Sequence, residues 1–410
     1  MLQSTRLKYV LEALREAAQA SAVEPDPKLR AALLGAKVEE LMAEVAGAVE
    51  SENLPDYAAR VLGVFEEIGM PSERTAVMGH ALQGIGKTYE RLGNAPHAYD
   101  AYTRALELGR ETKDTGLAAG CLRRMGRVKM RMAEWQAAVG HLEESLSLYD
   151  DIGDRRGRAE TLCDIGSLHY HQGELGEAER FYSEGLEIAE QLKHTSLVIN
   201  LQNNLGIIAN VRGDLDGAIA HYQRCIPLAE EIQKEPALAQ AYHNLGMAYA
   251  DRRDWQAAGD HFERALQLAR KHSLIAILGS VHLNKAQMYL ELGDIDMAAV
   301  STGRALDIFR AAKNKLAEAE SFRVLGDIFA RRGDEITTRE MFNQSLVMTT
   351  EAGSPLEVAE TYRGMGLAYE RLGRREQAVE ALQQAVQHFE RVQAAGDVQT
   401  TREALARLRN

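Results

Sequence analysis

The residues here that could do chemistry are two histidines, three cysteines, a run of asparagines and a run of arginines. His169 and His171 form the H-x-H of SLHYHQG. On a helix, residues two apart do not face the same way, so this spacing disfavours a metal pair. His169 also falls in a slot that is usually Tyr, which reads as packing. Cys121, Cys163 and Cys225 form no C-x-x-C and no Cys/His zinc spacing. An odd count with no apolar leader suits reduced thiols in a cytoplasmic protein. Cys121 and Cys225 take packing slots. Cys163 can reach a groove, but no basic residue stands beside it to lower its pKa. The glycines never cluster as G-x-G-x-x-G or as a P-loop. Trp135 and Trp255 each follow a cap slot by one residue and read as packing near a loop. No catalytic residue, metal site or cofactor is expected, so the chain reads as a non-enzyme.

Two polar groups remain. Asn200, Asn203, Asn204, Asn210, His243, Asn244, Asn284 and Gln287 fall on one face of three successive segments. An amide side chain both donates and accepts, so it can pair with an extended backbone of any sequence. The competing reading is that these amides bond across neighbouring helices. Arg123, Arg124, Arg127 and Arg131 form the second group, with Lys87 and Arg91 one unit earlier. Spacings of four put 123, 127 and 131 on one helical stripe. In a chain of net charge −12, such a stripe could anchor an acidic segment or a carboxylate terminus. Alternatively, Glu160 and Asp164 of the next unit neutralise it. A third set, Arg323, Asp327, Arg331, Glu360, Arg363 and Arg371, is mixed in sign.

A strict internal period positions these residues. The segments ALQGIGKTYERLG, CLRRMGRVKMRMA, TLCDIGSLHYHQG, LQNNLGIIANVRG, AYHNLGMAYADRR, VHLNKAQMYLELG, SFRVLGDIFARRG and TYRGMGLAYERLG align without insertion. Their sixth residues are Gly86, Gly126, Gly166, Gly206, Gly246, Ala286, Gly326 and Gly366, always 40 apart. Ala98, Ala138, Ala178, Ala218, Ala258, Ala298, Thr338 and Ala378 keep the same step, followed by Tyr102, Leu142, Tyr182, Tyr222, Phe262, Thr302, Phe342 and Leu382. Small residues at two such sites let paired helices cross closely, and the ring fills the space beside the crossing. Gly93, Gly173, Gly213, Gly293, Gly333 and Gly373 end the first helix of a pair. Asn94, Asp214, Asp254, Asp294 and Asp334 can cap the second. Pro236 and Pro355 suit a first helical position.

The pattern predicts an all-α protein, a right-handed α-solenoid of about eight to nine helix pairs with terminal capping helices. The expected divisions are a capping helix and the start of a long helix in 1–38, a degenerate unit in 39–78, eight 40-residue units in 79–398 and a capping helix in 399–410. Asp26–Pro27 would open the long first helix of the degenerate unit. No low-complexity linker or second domain interrupts this single array. The N-terminal segment MLQSTRLKYVLEALREAAQ is charged throughout and lacks the apolar core of a signal peptide. No apolar stretch is long enough for membrane insertion. The acidic balance disfavours nucleic acid as a partner.

The segments AYHNLGMAYADRRDWQAAGDHFERALQLAR and LQNNLGIIANVRGDLDGAIAHYQRCIPLAEE resemble tetratricopeptide repeats of the 40-residue variety. They are similar to those of the LGN/Pins adaptors and of bacterial regulators, and the resemblance covers roughly residues 39–398. Unlike LGN/Pins, no G-protein-binding tail is expected after the array. The resemblance implies a groove lined by the first helices. It also implies a scaffold or adaptor that holds a protein or peptide segment, with asparagines such as Asn204, Asn244 and Asn284 on peptide backbone. A bacterial, cytoplasmic protein is expected. The alternative is a regulatory sensor whose superhelix changes shape around a peptide or ligand. A third reading, homo-oligomerisation, would use the N-terminal region with Leu33, Leu34, Val38 and Leu41.

Overall fold

The computed structural model describes residues 74–392 and 394–409, together with isolated helical positions at 12, 13, 16, 17, 33, 36, 37 and 40. The N-terminal cap, most of the degenerate unit, Asp26–Pro27, Leu34, Val38 and Leu41 lie outside the described residues. Leu33 is half exposed.

Among the described residues the helices are α1 (Arg74–Arg91), α2 (Ala95–Glu111), α3 (Thr115–Arg131), α4 (Trp135–Asp151), α5 (Arg155–His171), α6 (Leu175–Gln191), α7 (Thr195–Val211), α8 (Leu215–Glu231), α9 (Glu235–Asp251), α10 (Trp255–Lys271), α11 (Ile275–Glu291), α12 (Ile295–Ala311), α13 (Lys315–Arg331), α14 (Glu335–Glu351), α15 (Pro355–Arg371), α16 (Arg375–Arg391) and α17 (Ala395–Arg409). There are no strands among them, and the architecture is an all-α solenoid of helix pairs. Odd-numbered helices are the first members of pairs, here called A, and even-numbered ones are B. The closing helix starts at Ala395, ahead of the expected boundary at 399. Contacts divide the chain into two compact units, one through Leu168 and one from His169.

Each connection from α1 through α16 has the same form. Helices, seventeen residues long from α2 to α16, are separated by three residues, and the middle one takes positive φ, as at Gly93, Lys113, Ala133 and Gly153. This is a Schellman turn: the N–H of Asp114 bonds the carbonyl of Gly109 at 2.8 Å and that of Lys113 bonds Arg110 at 3.2 Å. The third residue takes the N-cap position of the next helix, and in some units its side chain closes the cap. Asn94, Asp214, Asp254, Asp294 and Asp334 each accept a backbone N–H three residues on, as expected. Asp114, His194 and Asn314 do the same for A helices, which the sequence reading had not assigned. Pro355 opens α15, whereas Pro236 is the second residue of α9, after Glu235.

The A/B crossing is tighter than expected. A Cβ added to Gly86, Gly206, Gly246 or Gly326 would stand 2.5 Å from the ring of Tyr102, Tyr222, Phe262 or Phe342 respectively. The ring lies on the glycine, not beside it. Leu142 and Leu382 cover Gly126 and Gly366 in the same way. The one alanine in the series goes with a smaller residue at the ring position: Ala286 and Thr302 hold the two slots of that pair, and both are fully buried. In that pair the ring is supplied by Phe309, which sits over Gly279.

Gly246→Ala should therefore lower stability by about 1–3 kcal/mol through overpacking. Gly259→Ala, in the facing helix with open space around its Cβ, should raise it by about 0.5–1 kcal/mol. Urea unfolding of the two variants checks this; a neutral Gly246→Ala would remove the packing argument.

Candidate functional site

Successive A helices touch in both units: α1 with α3 in the first, and α7 with α9, α9 with α11, α11 with α13 and α13 with α15 in the second. Among the described residues the backbones of successive B helices do not approach comparably. The A helices therefore form the inner wall of each stack. Across that wall, partners recur at a separation of 41 residues. Arg123 with Asp164, Asn203 with Asn244, Asn210 with Asp251 and His243 with Asn284 all obey it. Arg131 on the Glu90 carbonyl and Arg331 on that of Leu290 obey it too. The last two bring a cation to the carbonyl end of the preceding A helix, where the helix dipole favours it.

In the first unit Arg124, Arg127 and Arg131 surround a buried carboxylate, Glu90, that carries no signal of its own in the sequence. The Glu90 side chain is 5% exposed. Its Oε1 lies 3.2 Å from Arg127 and 3.3 Å from Arg131, and its Oε2 lies 3.3 Å from Arg124. The Tyr102 hydroxyl donates to Oε2 at 3.0 Å. Burial alone would raise the Glu90 pKa, but the guanidiniums of Arg127, Arg124 and Arg131 together hold it below the usual carboxylate range. Arg123 turns to the other side, onto Glu160 at 2.7 Å and Asp164 at 3.0 Å. The neutralisation foreseen from the next unit thus applies to Arg123, with Asp164 only 3.9 Å from Arg127. Lys87 and Arg91 complete a cleft of about 170 Å³ with Glu90, Arg124, Arg127 and Arg131.

In the second unit the asparagine face is part of the wall's own bonding. Asn244 is 6% exposed, donates to Asn203 Oδ1 at 2.6 Å and accepts from Gln240 at 2.8 Å. Asn284 Nδ2 lies 2.6 Å from His243 Nε2. Asn210 donates to Asp251 at 2.8 Å. Asn204 is half-buried and Asn200 exposed. Asn284 and Gln287 line a cavity of about 340 Å³ whose apolar side includes Met247, Trp255 and Met288. Asp251, which accepts from Asn210, and Glu291, Asp327, Arg331 and Arg371 complete its polar side, the last four interlinked. These charges satisfy one another: Asp327 pairs with both Arg331 and Arg371, and Arg331 also lies 3.6 Å from Glu291. The sequence position of Trp255 suggests packing near a loop, whereas in the structure it lines this cavity. What brings it to the cavity is the neighbouring A helices, which its own segment does not reveal.

His169, Cys121 and Cys225 are held by packing and burial. His169 stacks on Phe181 at 5.2 Å and pairs with Glu174 at 2.6 Å. Burial pushes the Cys121 and Cys225 thiols up to about 12. No group of three or more metal-ligating side chains occurs among the described residues. No described helix is long and apolar enough to cross a membrane.

Two outcomes follow for the amide wall. Asn244→Ala should cost about 1–3 kcal/mol, because it leaves buried partners unpaired. Burial holds His243 neutral, its pKa lowered to about 4, against an ordinary value near 6.5. Its stabilisation is complete above about 6.5 and is lost as pH falls through that window toward 4. His243→Gln should accordingly lose less stability than the unsubstituted protein between pH 6.5 and 4, read from urea midpoints. Parallel losses would show that His243 is not responsible.

The tetratricopeptide-repeat family model matches residues 117–191 and 197–271, and a second tetratricopeptide-repeat model matches 360–390. No curated protein matches the chain. Among solved structures, aspartyl phosphate phosphatase F from Bacillus subtilis is 13% identical with a TM-score of 0.58, over 88% of this chain and 94% of that one. The apo form of the quorum sensor NprR from B. thuringiensis is 13% identical with a TM-score of 0.56, over 86% and 97%. The Rap conjugation gene regulator of the plasmid pLS20, in complex with the Phr* peptide, is 14% identical with a TM-score of 0.54, over 89% and 98%. At such identities the likeness is one of fold. The family models identify residues 117–191, 197–271 and 360–390 as tetratricopeptide repeats, and the same 40-residue helix pairs and glycine–ring crossings recur in the described units beside them.

Proposed function

We propose that this protein is a non-enzymatic scaffold that holds a segment of a partner polypeptide against its A-helix walls. The observation that carries the reading is the cavity of about 340 Å³ on the inner wall of the second unit. Its size is that of a small binding site. Met247, Trp255 and Met288 offer an apolar seat for one side chain of the segment. Asn284 and Gln287 offer donors and acceptors to its backbone. The paired charges of Asp327, Arg331 and Arg371 leave little demand for a particular ligand charge. A fold neighbour solved in complex with a peptide supports the reading. Another neighbour is named a phosphatase; here the packed His169 and the raised thiol pKa values of Cys121 and Cys225 support binding over catalysis. In this reading the protein works in the cytoplasm with its thiols reduced.

A second reading, a sensor that changes shape on binding, is favoured by a contact within the second unit. The turn after α5 returns to the start of α17: a Cβ on Gly173 would stand 3.0 Å from the backbone N of Gly396. A stack whose ends meet must alter that contact if its wall opens or tightens.

Selection from a random peptide library displayed on phage tests the first reading. Binders should be enriched, and the affinity of a selected peptide should fall about tenfold or more in the Met247→Glu and Gln287→Ala variants. An unproductive selection, or binders indifferent to both changes, would refute it. Small-angle scattering with the selected peptide separates the readings: a changed radius of gyration supports the sensor, an unchanged one the scaffold.

A further inference from the structure

We propose that α10, α11 and α12 form a binding site for a doubly charged oxyanion of the phosphate type, held by Arg270 and Arg304 on the B-helix side of the second unit. The stacking register brings these two residues together. Side chains 34 residues apart on successive B helices meet: Arg110 lies 2.5 Å from Glu144, and Arg224 lies 2.6 Å from Glu190. Arg270 in α10 and Arg304 in α12 occupy the same two slots. Here the register sets guanidinium against guanidinium, where those pairs join opposite charges. Both residues are exposed. Among the described residues no carboxylate pairs with either.

A buried atom beside them also lacks a partner. His282 on α11 is 4% exposed, and its Nδ1 makes no hydrogen bond. Arg264 lies over the Tyr242 ring at 5.5 Å, and Arg304 and His282 are the residues forty further on. Burial, followed by the positive charges of Arg304, Arg270 and Lys285, lowers the His282 pKa to about 4. Lys285 is offset by its pair with Glu263, and Asp307, one turn beyond Arg304, pairs with neither guanidinium. Two guanidiniums therefore remain beside a neutral imidazole. An orphaned polar atom in a protein interior marks a place where water or an ion completes the bonding. A phosphate dianion offsets both arginines, whereas a carboxylate offsets one. Each guanidinium presents a planar fork of N–H donors that matches two phosphate oxygens. An anion seated between them also replaces repulsion by attraction. Elsewhere a net charge of −12 repels anions, so saturable uptake reports this site. The site stands apart from the inner wall and does not rest on the polypeptide-binding reading.

Isothermal titration calorimetry on the full chain, with inorganic phosphate and with acetate, tests the proposal. Phosphate should bind saturably and about tenfold or more tightly than acetate. Arg270→Gln/Arg304→Gln should weaken phosphate about tenfold or more. Arg375→Gln/Arg407→Gln removes the same charge from exposed positions elsewhere in the second unit and should change binding less than about twofold. The imidazole resonances of His282, assigned as those lost in His282→Gln, should shift on adding phosphate and stay fixed in Arg270→Gln/Arg304→Gln. N-acetyl phosphoserine amide distinguishes the source. An affinity at or below that of phosphate assigns the site to the free ion, and a higher one to a phosphate group carried on a polypeptide. Undetectable phosphate binding, equal loss in the site and control variants, or His282 resonances indifferent to phosphate overturns the proposal. Urea midpoints report whether each variant folds; where the double variant does not, the resonance shift in the unsubstituted protein decides.

Discussion

The contact on which this structure depends is a ring, or a leucine, laid on a glycine where two helices cross. It sets the distance between the A and B members of every pair in which it was described. The unit at Ala286 shows that the constraint is one of combined volume, because the added methyl is matched by loss of the ring at Thr302. Close-packed interiors tolerate such exchanges and resist uncompensated ones. Identical crossings repeated at one interval force identical stacking, and identical stacking brings the A helices into mutual contact as an inner wall.

The wall inherits a fixed register from that stacking, so side chains meet at a separation of 41 residues whether they are amides, ion pairs or arginines on carbonyls. Most of its polar groups are therefore occupied in holding the wall together. One place departs from this balance. In the second unit the wall opens into an amphipathic cavity beside Asn284 and Gln287. In the proposed reading that opening, and not the amide face as a whole, receives the ligand.

The fold was legible in the sequence because it is written in residues whose size or backbone preference is local. Gly86 and its repeats, Gly93, and caps such as Asp214 and Asp254 declare themselves without knowledge of neighbours. The site was legible only in part. The face bearing Asn203, Asn244 and Asn284 was found, but a segment cannot say whether an amide on it faces a ligand or the next helix. Asn203 and Asn244 face each other. Glu90 was missed because a glutamate on a helix surface is ordinary until three guanidiniums from the following A helix are placed around it. Trp255 was missed for the same reason: the residues that make it a cavity wall come from α11 and α13.

The central claim is that the inner A-helix wall, and not the outer B surface, receives the polypeptide. Site-specific photo-cross-linking tests it most directly, with a photoreactive phenylalanine analogue placed in turn at Gln287 on the wall and at Ile336, which is 73% exposed on a B helix. The account predicts that a bound peptide is captured at Gln287 and not at Ile336. Capture at Ile336, with none at Gln287, would contradict it.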